Sequence, residues 1–190
     1  MKTYALLAAI AAGTLATALA TTPDLPAGWL QTGDAKTCKG QVLPAPGGPS
    51  AKAFTLSCKA GTEGYSTLMQ QISSADYAGK RVRLSARLHG EQLEAWGGLW
   101  MRADSGQRAG TAFDNMNDRP LRGSFGWQTA QVVLDIPADA TVLSFGFLLN
   151  GAGQLQATQF AIDVVASDVP TTGQGGAPVL PRQPSNLTPS

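Results

Sequence analysis

Apolar and polar residues alternate with a period of two through the middle of the chain. In RVRLSARL, residues 81–88, the apolar side chains occupy the even positions and the arginines and the serine occupy the odd ones. The same alternation runs through residues 131–136, 142–150 and 160–165. Each run is short and is bounded by Gly, Pro, Asn or Asp, which is typical of β-strands.

This pattern predicts a fold made of strands alone. Residues 21–166 contain no sustained helical period, and turn signals recur about every ten residues. A single sheet of this length would leave its apolar face in water, whereas two stacked sheets bury it. The predicted fold class is therefore all-β, an antiparallel β-sandwich.

The two ends of the chain have a different composition. Lys2 precedes an apolar stretch of about 16 residues, shorter than the roughly 20 that span a bilayer. With Ala18-Leu19-Ala20 as a cleavage site, residues 1–20 are predicted to be a signal peptide, and an uncleaved anchor is the alternative. Residues 167–190 are rich in Pro, Gly, Ser and Thr, which predicts a flexible tail. The mature domain, residues 21–166, is expected in the periplasm or outside the cell.

The chain has two cysteines, Cys38 and Cys58. Export to an oxidising compartment favours a disulfide between them, with free buried thiols as the alternative. Closing a loop of about 20 residues would stabilise the fold by roughly 3 kcal/mol. Zinc needs four ligands and the chain has one histidine, so we predict no metal site at the cysteines.

The formal net charge of the chain is +1. Such a balance provides no electrostatic attraction to nucleic acid or to an acidic membrane surface. We therefore expect neither as a partner, and no motif in the sequence indicates a cofactor.

The stretch EAWGGLWMRAD carries the best candidate for ligand binding. Alternation places Leu99, Met101 and Ala103 on one face of the strand. The opposite face carries Trp96, Trp100, Arg102 and Asp104. Flat aromatic surface beside planar hydrogen-bonding groups suits sugar rings and other flat polar ligands. The alternative is that both indoles are packed and that Arg102 forms a structural salt bridge with Asp104.

A second polar cluster, AFDNMNDRPLRG, follows that stretch. Its spacing fails a calcium-loop test. With Asp114 as position 1, position 3 is a methionine, and with Asn115 as position 1, position 6 is a proline. We expect Phe113 and Met116 to anchor the segment inward. Asp114, Asn115 and Arg119 are then the expected residues at the rim of a binding site.

Catalytic chemistry is poorly supported by the residue types. The single histidine, His89, lies at the predicted end of a strand, where a solvated turn residue is expected, and no G-x-S-x-G motif is present. Glycoside hydrolysis needs two carboxylates across a bond, and Glu91 and Glu94 lie in a hairpin-like stretch. We therefore predict a protein that is not an enzyme.

The strings GLWMR and FDNM-DRP-RG resemble, in order and spacing, a bacterial galactose-binding-like domain family. The resemblance extends from Leu25 to Pro170. It implies a jelly-roll fold and a ligand-binding or partner-binding role, because the family occurs in small exported proteins and fused to helix-turn-helix regulators. Relatives typically carry acidic residues where this chain has Ala157-Thr158-Gln159, so the resemblance does not extend to a metal site.

These observations lead to one interpretation and two alternatives. The first is an exported, non-catalytic sandwich that binds carbohydrate or a component of the cell envelope on its Trp/Arg face. The second is a structural or protein-interaction module with no small ligand. A small secreted glycoside hydrolase is the least favoured.

Overall fold

A computed structural model of the chain describes residues 25–45, 47–106 and 108–173. The predicted signal peptide, residues 1–20, and residues 174–190 of the predicted tail lie outside this part. Regular structure in the described chain consists of β-strands, which confirms the all-β prediction. The described residues include no helix long and apolar enough to cross a membrane.

The described residues form nine strands. They are β1 (Leu30–Gly33), β2 (Cys38–Pro44), β3 (Lys52–Cys58), β4 (Tyr65–Ser73), β5 (Arg81–Ser105), β6 (Arg108–Asp114), β7 (Leu121–Asp135), β8 (Val142–Asn150) and β9 (Gly153–Val165). Every pairing between them is antiparallel.

The 25-residue strand β5 belongs to two sheets. Its first half pairs with β7 and β9, and the sheet continues through β3 to β2; we call this sheet I. Its second half pairs with β6 and β8, and the sheet continues through β4 to β1; we call this sheet II. The two sheets are therefore joined through one shared strand.

The passage of β5 between the sheets replaces the hairpin expected around Glu91 and Glu94. Gln92 has a φ of 51°, and the register against β7 shifts on both sides of it. These irregularities bend the strand without ending it. His89 consequently lies within β5 and not at a strand end, and its ring centroid is 5.4 Å from that of Trp127.

The core lies between the inner faces of the two sheets. Alternating positions of β5 supply Leu84 from sheet I and Leu99 from sheet II, and both are fully buried. Trp29 closes one end of the sandwich as the first strand begins, and it stacks on Phe54 with ring centroids 4.1 Å apart. Other fully buried core residues are Leu56, Leu68, Val82, Leu88, Met101, Val132, Leu143, Phe147, Leu149 and Leu155.

Cys38 and Cys58 form the predicted disulfide. The two residues lie directly opposite each other in the pairing of β2 with β3, and both side chains are buried. The bond therefore links the edge strand of sheet I to its neighbour.

Residues 167–173, the C-terminal strap, form hydrogen bonds with the domain although their composition is that of the predicted tail. The amide of Thr172 donates to the carbonyl of Val133 at 2.9 Å, and the amide of Val133 donates to Oγ1 of Thr172 at 2.7 Å. The Arg81 guanidinium donates to the carbonyls of Ser167 and Val169. Contacts with the domain thus continue beyond residue 166, made by backbone groups and by the Thr172 hydroxyl, which the composition of the segment does not reveal.

The same arginine sets the acid sensitivity of Asp135. Arg81 donates two hydrogen bonds to that carboxylate, at 2.7 and 2.8 Å, and they hold the pKa of Asp135 below its ordinary value. A lowered pKa in the folded state contributes stability above the ordinary pKa of an aspartate, and this contribution is lost as the pH falls through the lowered pKa.

We therefore expect Asp135→Asn to flatten the acid limb of a plot of Tm against pH, with a modest effect because the Asp135 side chain is 58% exposed to solvent. Asp163→Asn is the matched control, since Arg83 donates one hydrogen bond to Asp163, at 3.2 Å, on the same sheet. Equal acid limbs for the two variants would contradict the role given to Arg81.

Candidate ligand-binding site

The alternation predicted for β5 is confirmed in its second half. Leu99 and Met101 point into the core and are fully buried. Trp96, Trp100 and Arg102 point to the outer face of sheet II, where all three line one cleft.

The cleft has a volume of about 470 Å³ and crosses the outer face of sheet II. Residues from all five strands of that sheet contribute to it, together with the loop that follows β6. Its lining is Leu30 and Thr32 from β1, Tyr65, Thr67, Met69 and Gln71 from β4, Trp96, Trp100 and Arg102 from β5, Phe113 from β6, Asn115 from the loop, and Leu148 and Asn150 from β8.

Strand register fixes which of these side chains are neighbours. At one end, Tyr65, Asn150 and Trp96 lie in a row across β4, β8 and β5. At the other end, Gln71 and Arg102 lie in a row that Phe113 extends onto β6. The two rows are six residues apart along β4, so the cleft is about 20 Å long.

The floor of the cleft is apolar and closely packed. Trp100 packs against Met69 and Leu148, and its Nε1 donates a hydrogen bond to Oγ1 of Thr67 at 2.7 Å. The Trp100 indole is buried as a result, whereas Trp96 at the end of the floor is half-buried. Of the two predicted indoles, Trp96 therefore offers more surface to a ligand.

Two exposed aromatic side chains stand at opposite ends of the cleft. Tyr65 is 54% exposed and Phe113 is 46% exposed. Phe113 faces outward and not inward as expected, because it pairs with the outward-facing Arg102 in the β5–β6 register. Met116 is buried in the core as expected.

Arg102 is held in position by Asp104. Its Nη2 lies 2.9 Å and its Nε 3.2 Å from the same carboxylate oxygen, and the other oxygen accepts a hydrogen bond from the amide of Gly110 at 2.6 Å. Side-chain exposure is 38% for Arg102 and 15% for Asp104. The salt bridge considered from sequence is present, and the arginine, not the aspartate, lines the cleft.

Of the three residues expected at the rim, Asn115 lines the cleft. Asp114 and Arg119 lie behind it in an ion pair, with the Asp114 side chain 1% exposed. Asp114 also accepts hydrogen bonds from the amide of Met116 and from Oγ1 of Thr172. These two charged residues hold the loop and the C-terminal strap together.

Carboxylates and metal-binding clusters are absent from the cleft. Its lining among the described residues includes neither Asp nor Glu, and Glu63, Glu91 and Glu94 lie elsewhere on the surface. No group of three or more His, Cys, Asp or Glu residues in the described part of the chain could hold a metal ion.

Comparison with known proteins gives one relative of similar sequence. No known family profile matches the chain. The uncharacterized HTH-type transcriptional regulator YbfP of Bacillus subtilis (strain 168) is 36% identical over 124 residues, which are 65% of this chain. The match covers 42% of the regulator, so the chain spans less than half the length of that relative.

Several solved structures resemble the described domain over about three quarters of this chain. The CBM22-1 xylan-binding domain of Xyn10C from Paenibacillus barcinonensis superposes with a TM-score of 0.53 at 15% identity, over 73% of this chain and 86% of that one. The enzymatically active domain of tailspike protein 4 from bacteriophage CBA120 gives a TM-score of 0.58 at 14% identity, over 73% and 20%. This likeness confirms a jelly-roll sandwich.

Several lining residues of the cleft were not candidates from sequence, among them Asn150, Gln71 and Phe113. Gln71 on β4 and Asn150 on β8 share the outer face of sheet II with the β5 residues in their rows. The alternation of apolar and polar residues in those two strands therefore indicated which face each side chain occupies. Their proximity to Arg102 and Trp96 depends on strand order, which that period does not reveal.

Proposed function

We propose that the cleft binds carbohydrate and that the protein is an exported, non-catalytic binding module. The observation that carries the proposal is the pair of exposed rings, Tyr65 and Phe113, at the two ends of a cleft with an apolar floor. Sugar rings have apolar faces that pack on aromatic side chains, while their hydroxyl groups need hydrogen-bond partners.

Hydrogen-bonding groups between the aromatic residues meet the second requirement. The side-chain amides of Gln71, Asn115 and Asn150 each provide both donors and acceptors. Asn150 lies beside Trp96 and Tyr65, and Gln71 lies in the row of Phe113. Tyr65 therefore has an amide beside it, and near Phe113 the amide is that of Asn115, two residues further along the chain.

The structural relatives support the same class of ligand. One of them is described as a xylan-binding domain, and this chain covers 86% of it. A polysaccharide or oligosaccharide is therefore the ligand class that we propose. The regulator from Bacillus subtilis is itself uncharacterized and adds no ligand.

The chemistry of the cleft supports binding without turnover. Glycoside hydrolysis requires two carboxyl groups on opposite sides of the scissile bond. The described lining supplies an arginine, amides, hydroxyl groups and apolar side chains. A general acid and its carboxylate partner are missing from that set.

The disulfide supports export. Cys38 and Cys58 are bonded across β2 and β3, and disulfides persist in oxidising compartments such as the periplasm and the cell exterior. The predicted signal peptide is in line with that location.

The alternative, a structural module with no small ligand, has a specific observation in its favour. Trp100 is buried and hydrogen-bonded, and Arg102 is paired with Asp104, so two of the predicted ligand contacts already serve packing. The two functions make different demands on the exposed rings. A binding module needs Tyr65 and Phe113 to contact its ligand, whereas a structural module does not need them for packing.

Alanine substitution of the exposed rings tests the proposal. A glycan array identifies a bound saccharide, and isothermal titration then measures its Kd. We expect Tyr65→Ala and Phe113→Ala each to weaken binding about tenfold, because each removes one packing surface. Trp96→Ala is expected to weaken it by a similar factor.

Val164→Ala is the matched control for this experiment. Val164 is a third exposed large apolar residue, and it lies on β9 in sheet I, outside the cleft. Its substitution should leave the Kd unchanged. An array with no bound glycan, or equal affinities for all four variants, would favour the structural module.

A further inference from the structure

The charge of the cleft is concentrated at one point. Arg102 is the one formally charged residue in its described lining, and Asp, Glu and Lys are all missing from that lining. A guanidinium also donates to the hydroxyl groups of a neutral sugar, but its charge-assisted hydrogen bonds to a carboxylate are stronger. The position of this cation is therefore informative about the ligand.

Asp104 orients the guanidinium and leaves it accessible. Both oxygens of Asp104 are occupied, one by Arg102 and the other by the amide of Gly110. Arg102 uses Nε and Nη2 in this pair, and its Nη1 has no hydrogen-bond partner among the described residues. The arginine is also the more exposed member, so a ligand in the cleft meets the cation first.

The residues in the row of Arg102 suit a sugar that carries an acidic group. Phe113 lies opposite Arg102 on β6 and presents an exposed aromatic surface. On the other side, Gln71 lies two strands away, beyond Ser144. Its amide nitrogen donates to Oγ of Ser144 at 3.1 Å, which leaves the amide oxygen to accept from a hydroxyl of an adjoining sugar. Stacking, a hydroxyl contact and a cation are thus available within one row.

We propose that the cleft selects a saccharide that carries a carboxylate, with a uronic acid residue bound at Arg102. This inference rests on the proposed function and narrows its ligand class. The planar guanidinium forms charge-assisted hydrogen bonds with a carboxylate that are stronger than those between neutral partners. Phe113 packs on the sugar ring while Nη1 of Arg102 donates to its carboxylate.

Methyl esterification of the carboxylate tests the inference without altering the sugar ring. The probes are oligogalacturonate and glucuronoxylan oligosaccharides, each compared with its methyl ester by isothermal titration at low and high salt. We expect at least one acid to bind about tenfold more tightly than its ester, with a preference that falls as salt is added. The two probes distinguish galacturonate from glucuronate as the source of the carboxylate.

Substitutions of Arg102 test whether this residue causes the preference for acid over ester. Arg102→Gln should remove the preference for acid over ester, and Arg102→Lys should retain part of it because the charge stays while the planar fork is lost. Arg108→Gln is the matched control, since Arg108 is an exposed cation on β6 that pairs with Asp139 outside the cleft. Thermal unfolding of each variant verifies that the domain remains folded.

The outcomes separate this inference from the function on which it rests. Equal affinity for acids and esters, or the same preference in Arg102→Gln and Arg108→Gln, overturns the carboxylate specificity and leaves carbohydrate binding in place. If no saccharide binds, neutral or acidic, both proposals are overturned. Loss of the preference in Arg102→Gln alone supports both.

Discussion

Phe147→Ala is expected to destabilise the protein by about 3 to 5 kcal/mol. Phe147 is a fully buried residue of β8, and it pairs with Leu68 on β4 and with Leu99 on β5. Both neighbours are themselves fully buried, so the surrounding strands cannot close the space that the missing ring leaves. The measurement is the free energy of unfolding from urea denaturation.

Phe113→Ala removes the same ring from an exposed position and serves as the control. Surface substitutions of this kind change stability by less than about 0.5 kcal/mol. The two variants therefore separate a packed ring on the inner face of sheet II from an exposed ring on its outer face. A loss below about 1 kcal/mol for Phe147→Ala would contradict the assigned orientation of β8.

Asp114→Ala is expected to reduce the free energy of unfolding by about 3 kcal/mol, since it removes a buried carboxylate that accepts several hydrogen bonds. Asp114 accepts hydrogen bonds from Arg119, from the amide of Met116 and from Thr172 in the C-terminal strap. Its loss therefore leaves a guanidinium, a backbone amide and a hydroxyl without their shared acceptor. Urea denaturation at neutral pH measures the effect.

Asp118→Ala is the control for the loss of a carboxylate next to Arg119. Asp118 pairs with the same guanidinium at 2.8 Å, but its side chain is 35% exposed, so its removal should cost less than about 1 kcal/mol. Equal losses in the two variants would show that burial of Asp114 contributes nothing. Cooperative unfolding of Asp114→Ala at a lowered midpoint is the result that we expect.

The sequence predicted the local features of this fold well. The side chains of Leu99 and Met101 could be assigned to one face and those of Trp96 and Trp100 to the other, because alternation follows from the geometry of an extended strand. The pairing of the two cysteines could likewise be predicted without knowing the strand register, from the expected compartment and the cysteine count. Both depend on properties that a few neighbouring residues determine.

Features that depend on strand pairing could not be predicted from the same pattern. Phe113 faces the cleft because β6 pairs Arg102 with it, and an apolar residue in a polar loop reveals nothing about that register. Asp114 is buried because Thr172, 58 residues later in the chain, returns to it. The bend at Gln92 lies in a charged stretch that resembles a hairpin locally, although the strand continues through it.

Strand order also determines when the domain can form during synthesis. The last two strands, β8 and β9, occupy interior positions in the strand order, one beside β4 and the other beside β3. Sheet II cannot close until the chain through Asn150 is available, and sheet I cannot close until the chain through Val165 is available. Pairings between such distant segments form slowly. A chain that emerges from its amino end therefore stays open, with its apolar faces uncovered, until almost the whole domain has been delivered.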